Sequence, residues 1–146
     1  DMGVDPNFRF EVGVGYNTAM YFAVKSNNTE VVRLLLDKGV DVNTFTAHYN
    51  GPVIFAALSS AEMVDFLLSK GANPNSRQDQ GNSLLMEAVT NSNGSLSVIK
   101  ILVTKGANVN YKNNQSPGAS NTALKIAKNK GFKEIERFLA SSGARE

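Results

Sequence analysis

The stretch Glu62–Asn75, EMVDFLLSKGANPN, decides the fold, because the chain writes it three more times. Glu30–Asn43 reads EVVRLLLDKGVDVN, Ser97–Asn110 reads SVIKILVTKGANVN, and Glu134–Ala144 reads EIERFLASSGA. The glycines that anchor the copies are Gly39, Gly71, Gly106 and Gly143, spaced by 32, 35 and 37 residues. Self-similarity at a period in the thirties marks a stacked repeat array rather than a closed globule. Such arrays present an extended surface and seldom carry chemistry.

One copy shows why. Thr18 through Val24 predicts a first helix, with Thr18 as its cap. Ser26-Asn27-Asn28-Thr29 breaks it, and a second helix follows with Val31, Val32, Leu35 and Leu36 at helical spacing on one face. Gly39 ends that helix in a left-handed conformation, where a side chain would clash. Val40 to Asn43 leads into a turn-rich segment. The second copy begins at Gly51-Pro52, with Pro52 expected in the first turn of a helix. The third runs from Ser83 and the fourth from Thr122. Ala23, Ala56, Ala88 and Ala127 occupy the matching place in each first helix, which lets neighbouring pairs approach closely. A pair this short cannot bury its apolar face alone, so stacking is obligatory.

Composition narrows the rest. With 42% apolar and 19% charged residues in 146, the chain has the makings of a packed core. A net charge of +2 is too small to argue for nucleic acid or anionic lipid. No apolar run approaches the roughly 20 residues of a transmembrane helix. The absence of cysteine removes disulfides, zinc–thiolate sites and thiol nucleophiles.

The pattern of a first helix ending in alanine, E-[IVM]-[V], a leucine pair and G-[AV]-[DN]-x-N resembles the ankyrin repeat. The resemblance covers nearly the whole chain. It implies an all-α, right-handed stacked solenoid of helix-turn-helix units joined by β-hairpin-like loops. In that reading residues 1–14 are the tail of an upstream or half repeat, 15–47, 48–80 and 81–115 are repeats, and 116–146 form a C-terminal cap. No copy carries the full T-P-L-H tetrapeptide. The positions matching its histidine hold Tyr21, Ile54, Met86 and Lys125, so the hydrogen bonds at the helix starts are expected to differ.

Three breaks refine the pattern. Met2-Gly3-Val4-Asp5-Pro6-Asn7 matches Lys38 to Asn43 in register, 36 residues earlier, and reads as the exit of an earlier repeat. A native start at Asp1, with a half-repeat acting as a cap, is the alternative. At the other end Glu136 stands where the other copies have Val32, Val64 and Ile99, and Ala140 where they have Leu36, Leu68 and Val103. With Lys125, Lys128 and Lys130 nearby, that copy reads as a polar terminal cap. The loops around Glu11 to Gly15, Asn91 to Ser95 and Asn113 to Gly118 are long, and loop variation is where repeat proteins differentiate.

Catalysis has little support. His48 is the one histidine, and no G-x-S-x-G elbow accompanies it. Gly13-Val14-Gly15 lacks a Walker lysine and reads as a hairpin turn. Glu62 and Asp65 form a solvated helix face, with Glu30, Glu62 and Glu134 complementing helix starts. Asn27 and Asn93 begin N-x-[ST] triplets, better read as interhelix turns.

The resemblance further implies docking through hairpin tips and the exposed side of each first helix. By position this gives Arg9, Lys25, Phe45, His48, Tyr49, Leu58, Arg77, Asp79, Gln80, Asn91 and Lys112. Phe45, His48 and Tyr49 stand out, because aromatics are enriched at binding hot spots, though Tyr49 has a packing role open to it beneath the hairpin. The expectation is a monomeric, non-enzymatic protein-interaction scaffold with no cofactor or metal, binding a protein rather than nucleic acid or membrane. The cytoplasm is the favoured compartment, with periplasm or secretion also compatible. The alternative is a module that packs on its own upstream domain.

Overall fold

The computed structural model describes residues 5–11, 16–93, 95–115 and 121–145. The Gly3 exit and the Gly13-Val14-Gly15 turn fall outside them, as do Gly94 and the Ser116 to Gly118 part of the last linker. The chain divides into two compact units, Asp1–Ala72 and Asn73–Glu146.

In the first unit, β1 (Arg9–Glu11) pairs antiparallel with β2 (Tyr16–Thr18), Arg9 opposite Thr18. Helices α1 (Ala19–Lys25) and α2 (Thr29–Asp37) follow. A second short hairpin, β3 (Phe45–Thr46) with β4 (Gly51–Pro52), leads into a 3-10 helix, Val53–Ala57, and then α3 (Ala61–Ser69). α1 packs on α2 and on the 3-10 helix, which packs on α3. In the second unit α4 (Leu84–Asn91) packs on α5 (Ser97–Thr104) and on α6 (Ala123–Asn129), and α6 on α7 (Lys133–Ser141). Hairpins there shrink to single bridges, Arg77 with Ser83 and Asn113 with Asn121.

Capping accounts for the one helix of a different type among the described residues. The Thr18 Oγ1, Ser83 Oγ and Thr122 Oγ1 hydroxyls accept from the backbone N–H groups of Tyr21, Met86 and Lys125 at 3.3, 3.3 and 3.1 Å. Each satisfies one orphan donor of the first turn, a contribution of about 1 kcal/mol. These donors belong to the residues that replace the repeat's usual histidine. At Gly51 the second copy has no hydroxyl, and its helix has no side-chain cap. Pro52, expected in the first turn of the helix, lies outside it. It forms the N-cap at φ −58° and ψ 151°, opposite Phe45 in the hairpin. The turn that follows tightens to 3-10, in keeping with short, poorly capped segments.

The exits repeat in atomic detail. Gly39, Gly71, Gly106 and Gly143 adopt φ of +84°, +94°, +91° and +88°. In each, the glycine N–H donates to the carbonyl three residues back in the last turn, and the next N–H donates to the carbonyl five residues back, as from Val40 to Leu35 at 3.0 Å and from Ala107 to Leu102 at 2.9 Å. That is a Schellman closure, with Val40, Ala72, Ala107 and Ala144 buried beside it. The asparagine that ends the motif links consecutive exits. Asn43 Nδ2 donates to Gly71 O at 3.4 Å, Asn75 Nδ2 to Gly106 O at 3.1 Å, and Asn110 Nδ2 to Gly143 O at 3.0 Å. Asn75 Oδ1 and Asn110 Oδ1 accept in turn from the backbone of Asn108 and Arg145, both at 2.7 Å. The motif's asparagine is a strut between repeats.

The core confirms one face of the second helices and corrects another. Val32, Val64 and Ile99 are fully buried, and the leucine pair's first members Leu67, Leu102 and Leu139 likewise. Val31, expected to share the buried face, is 38% exposed. Glu136, at the position of Val32, is only partly covered and takes an ion pair from Lys133 at 3.0 Å, while Ala140 is exposed. That side of α7 is therefore wet.

Candidate interaction surface at the hairpin tips

In the first unit the β3–β4 hairpin turns through Ala47 to Asn50. Asn50 at φ +45° supplies the left-handed residue, which asparagine tolerates better than most. Thr46 is buried and its hydroxyl donates to Gly51 O at 3.2 Å, fixing the base of the hairpin. Phe45, opposite Pro52, is half exposed.

His48 and Tyr49 do not extend freely. The His48 ring meets Tyr49 edge-on at 4.8 Å between centroids and lies 5.7 Å from Tyr21. Tyr49 is half-buried, 6.5 Å from Tyr21, so the packing role is the one its surroundings favour. Tyr21 itself is 4% exposed. Its hydroxyl accepts from Lys25 Nζ at 3.2 Å, and the ammonium also sits 5.6 Å from the ring centroid. The hydrogen bond to Tyr21 and the neighbouring phenols raise the Lys25 ammonium above the ordinary lysine range. Its contribution is present at and below that ordinary range and fades only as pH climbs through the raised value. Lys25 therefore keeps its positive charge around neutrality.

The hairpin and α1 thus bring Lys25, His48 and Tyr49 together around Tyr21, with Phe45 presented beside them. Arg9 is exposed on β1. Leu58 lies just past the 3-10 helix as its C-cap and is half-buried rather than exposed. Tyr21 was visible in the sequence only as a departure from the T-P-L-H pattern. That departure is the signal that marks it, because the side chain at that position points toward the next hairpin.

The second unit holds the rest. The Arg77 guanidinium lies over the Tyr111 ring, 5.6 Å from its centroid, a stacking that orients it. Asp79 and Gln80 are exposed at the tip. Behind them Asn113 Nδ2 donates to Gln80 O at 2.9 Å and to Asn82 Oδ1 at 2.7 Å, and the Tyr111 hydroxyl donates to Gly81 O at 3.0 Å. Asn113 Oδ1 accepts from Gln115 N at 3.0 Å. This nearly buried asparagine latches two successive tips and leaves the Gln80 side chain outward. Lys112 is exposed between Tyr111 and Asn113. Asn91, at the end of α4, is exposed and donates to Glu87 Oε1 at 3.0 Å.

Among the described residues no three acidic, histidine or cysteine side chains gather in a way that could hold a metal ion. No helix there is long and apolar enough to cross a membrane.

This geometry, hairpin, helix pair and Schellman exit repeated in phase, is that of an ankyrin-repeat fold. A family model for ankyrin repeats (3 copies) matches residues 2–78 and 54–146. The chain belongs to the ankyrin repeat family. It is 33% identical to the B-cell lymphoma 3 protein homolog of Mus musculus over 129 residues, which is 87% of this chain and 28% of that protein. It is 37% identical over 102 residues to ankyrin repeat protein FPV031 of Fowlpox virus, 67% of this chain and 29% of that one. It is 32% identical over 110 residues to ankyrin repeat and SOCS box protein 6 of Homo sapiens, 70% of this chain and 26% of that one. The chain therefore spans under a third of the length of these relatives. Ankyrin repeats are in general protein–protein interaction modules.

Proposed function

We propose that this chain is a non-enzymatic scaffold that binds a protein partner through its hairpin tips and the exposed side of its first helices, with Phe45 as the principal anchor. One observation carries the reading. Phe45 is 50% exposed on a hairpin held from below by Thr46 and from behind by the Tyr21, His48 and Tyr49 rings. A large apolar side chain on a fixed support loses little entropy on binding, and aromatic anchors dominate interface energies. Lys25 adds positive charge beside the Tyr21 cluster, which favours a partner with acidic groups around an apolar pocket.

Phe45→Ala tests this. Affinity for a captured partner, measured by calorimetry against the parent chain, is expected to fall at least about tenfold, in line with hot-spot truncations. The melting temperature is expected to move by no more than about 1 °C, as for exposed positions. A loss of melting temperature with affinity intact would overturn the assignment.

A further inference from the structure

The repeats allow each second-helix position to be compared with its counterparts. Met63, Val98 and Ile135 occupy the place of Val31 and are 0%, 9% and 0% exposed, against 38% for Val31. Phe66, Ile101 and Phe138 occupy the place of Leu34 and are half-buried, whereas Leu34 is 57% exposed. Leu67, Leu102 and Leu139 are fully buried, while Leu35 is half-buried. On the first helix Phe55 is 1% exposed and its counterpart Phe22 is 42%.

The direction of cover can be read inside the first unit. Phe66, the counterpart of Leu34, lies under the Arg33 guanidinium of the preceding helix pair, 5.2 Å from its centroid. Leu34 and, one turn away, Val31 are therefore exposed in the first pair at places that a preceding pair covers in the next. Val32, on the opposite side, is fully buried.

A second observation lies just before β1. Asn7 N donates to Asp5 Oδ1 at 2.8 Å and Phe8 N to Asp5 O at 3.0 Å. The exits repeat both bonds: Asn43 N to Asp41 Oδ1 at 2.8 Å with Thr44 N to Asp41 O at 3.0 Å, and Asn75 N to Asn73 Oδ1 at 2.9 Å with Ser76 N to Asn73 O at 3.1 Å. Residues 5–8 thus form the turn by which a helix pair leaves for the next hairpin.

We infer that the Val31–Leu34 face is the seat of a further helix pair of the same repeat type, contributed by this protein's own chain ahead of the Asp5 turn. The occupant continues the stacking interface already present between α1 and the 3-10 helix, and a bare apolar face on a repeat array calls for such a neighbour.

The lack of cysteine makes the test clean. Leu34→Cys places the one thiol of residues 1–146 on the face, any cysteine upstream being replaced by serine, and its rate of alkylation reports cover. Residues 1–146 are compared with the same chain carrying its native upstream sequence. Ser69→Cys, on the exposed end of α3, is the control. In the extended chain the Leu34→Cys thiol is expected to react at least about tenfold more slowly than in residues 1–146, since only local opening then exposes it, with the control unchanged. Val31→Cys repeats the reading should the first variant fold poorly. Equal rates in the two chains would overturn the inference, as would a native upstream sequence without a helix pair. Protection in residues 1–146 that grows with protein concentration would assign the face to a second copy and overturn it too.

Discussion

Phe55→Ala is expected to cost about 3–5 kcal/mol, the range for emptying a phenylalanine site in a packed core. Phe55 is 1% exposed, with Val53, Ile54 and Ala57 fully or almost fully buried beside it. Two features put the loss at the upper end. The segment is a 3-10 helix without a side-chain cap, so little local structure holds its shape once the ring is gone. It lies between α1 and α3 and is the element through which they are joined. Total stabilities are only about 5–15 kcal/mol, so the variant approaches the limit of folding. Chemical denaturation followed by circular dichroism measures the effect. Phe22→Ala is the matched control, at the same helix position but 42% exposed. It is expected to cost clearly less than Phe55→Ala in residues 1–146, because about two fifths of its surface is already in water. Equal losses in the two variants would contradict the account of the core.

Gly81→Ala is the second large effect. Gly81 has φ +80°, and a Cβ there would stand 2.6 Å from Asn113 Oδ1 and 2.7 Å from Gln115 Cδ. Gln115 is exposed and can swing away. Asn113 is 7% exposed and bound to Gln80, Asn82 and Gln115, so it cannot yield without leaving buried polar groups unpaired. The left-handed backbone costs an alanine about 1–2 kcal/mol, and breaking the buried latch adds about 1–3 kcal/mol. Gly39→Ala separates the two parts. Gly39 has nearly the same φ, +84°, with nothing within 4 Å of the added carbon, so only the backbone share applies. Thermal unfolding of both variants is expected to rank Gly81→Ala clearly lower. Equal melting temperatures would show that the latch contributes nothing.

The repeat architecture was legible because its causes are local. Apolar spacing marks the second helices, Thr18, Ser83 and Thr122 mark caps, and Gly39, Gly71, Gly106 and Gly143 can hardly serve another purpose at their φ. The 3-10 helix was missed because Gly51-Pro52 was read for what proline permits, not for the hydroxyl that glycine lacks. Val31 was misplaced because periodicity gives a stripe but not which neighbour covers which edge of it. The Asn43, Asn75 and Asn110 struts and the Asn113 latch join residues about thirty apart, as in the Asn75–Gly106 and Asn113–Gln80 bonds, and no local pattern reports such partners. At the tip, Phe45 and His48 were legible as aromatics in a turn. The central place of Tyr21 was not, because its packing depends on a hairpin from the next repeat.

The account rests most heavily on the tip as the partner's anchor. Amide hydrogen exchange of the parent chain, free and in complex with its captured partner, tests that directly. The expected result is protection concentrated in residues 45–50 and in α1 around Lys25, where Phe45 and the Tyr21 cluster lie. Protection confined to the exit turns or to α5 and α7, with residues 45–50 exchanging as in the free chain, would contradict it.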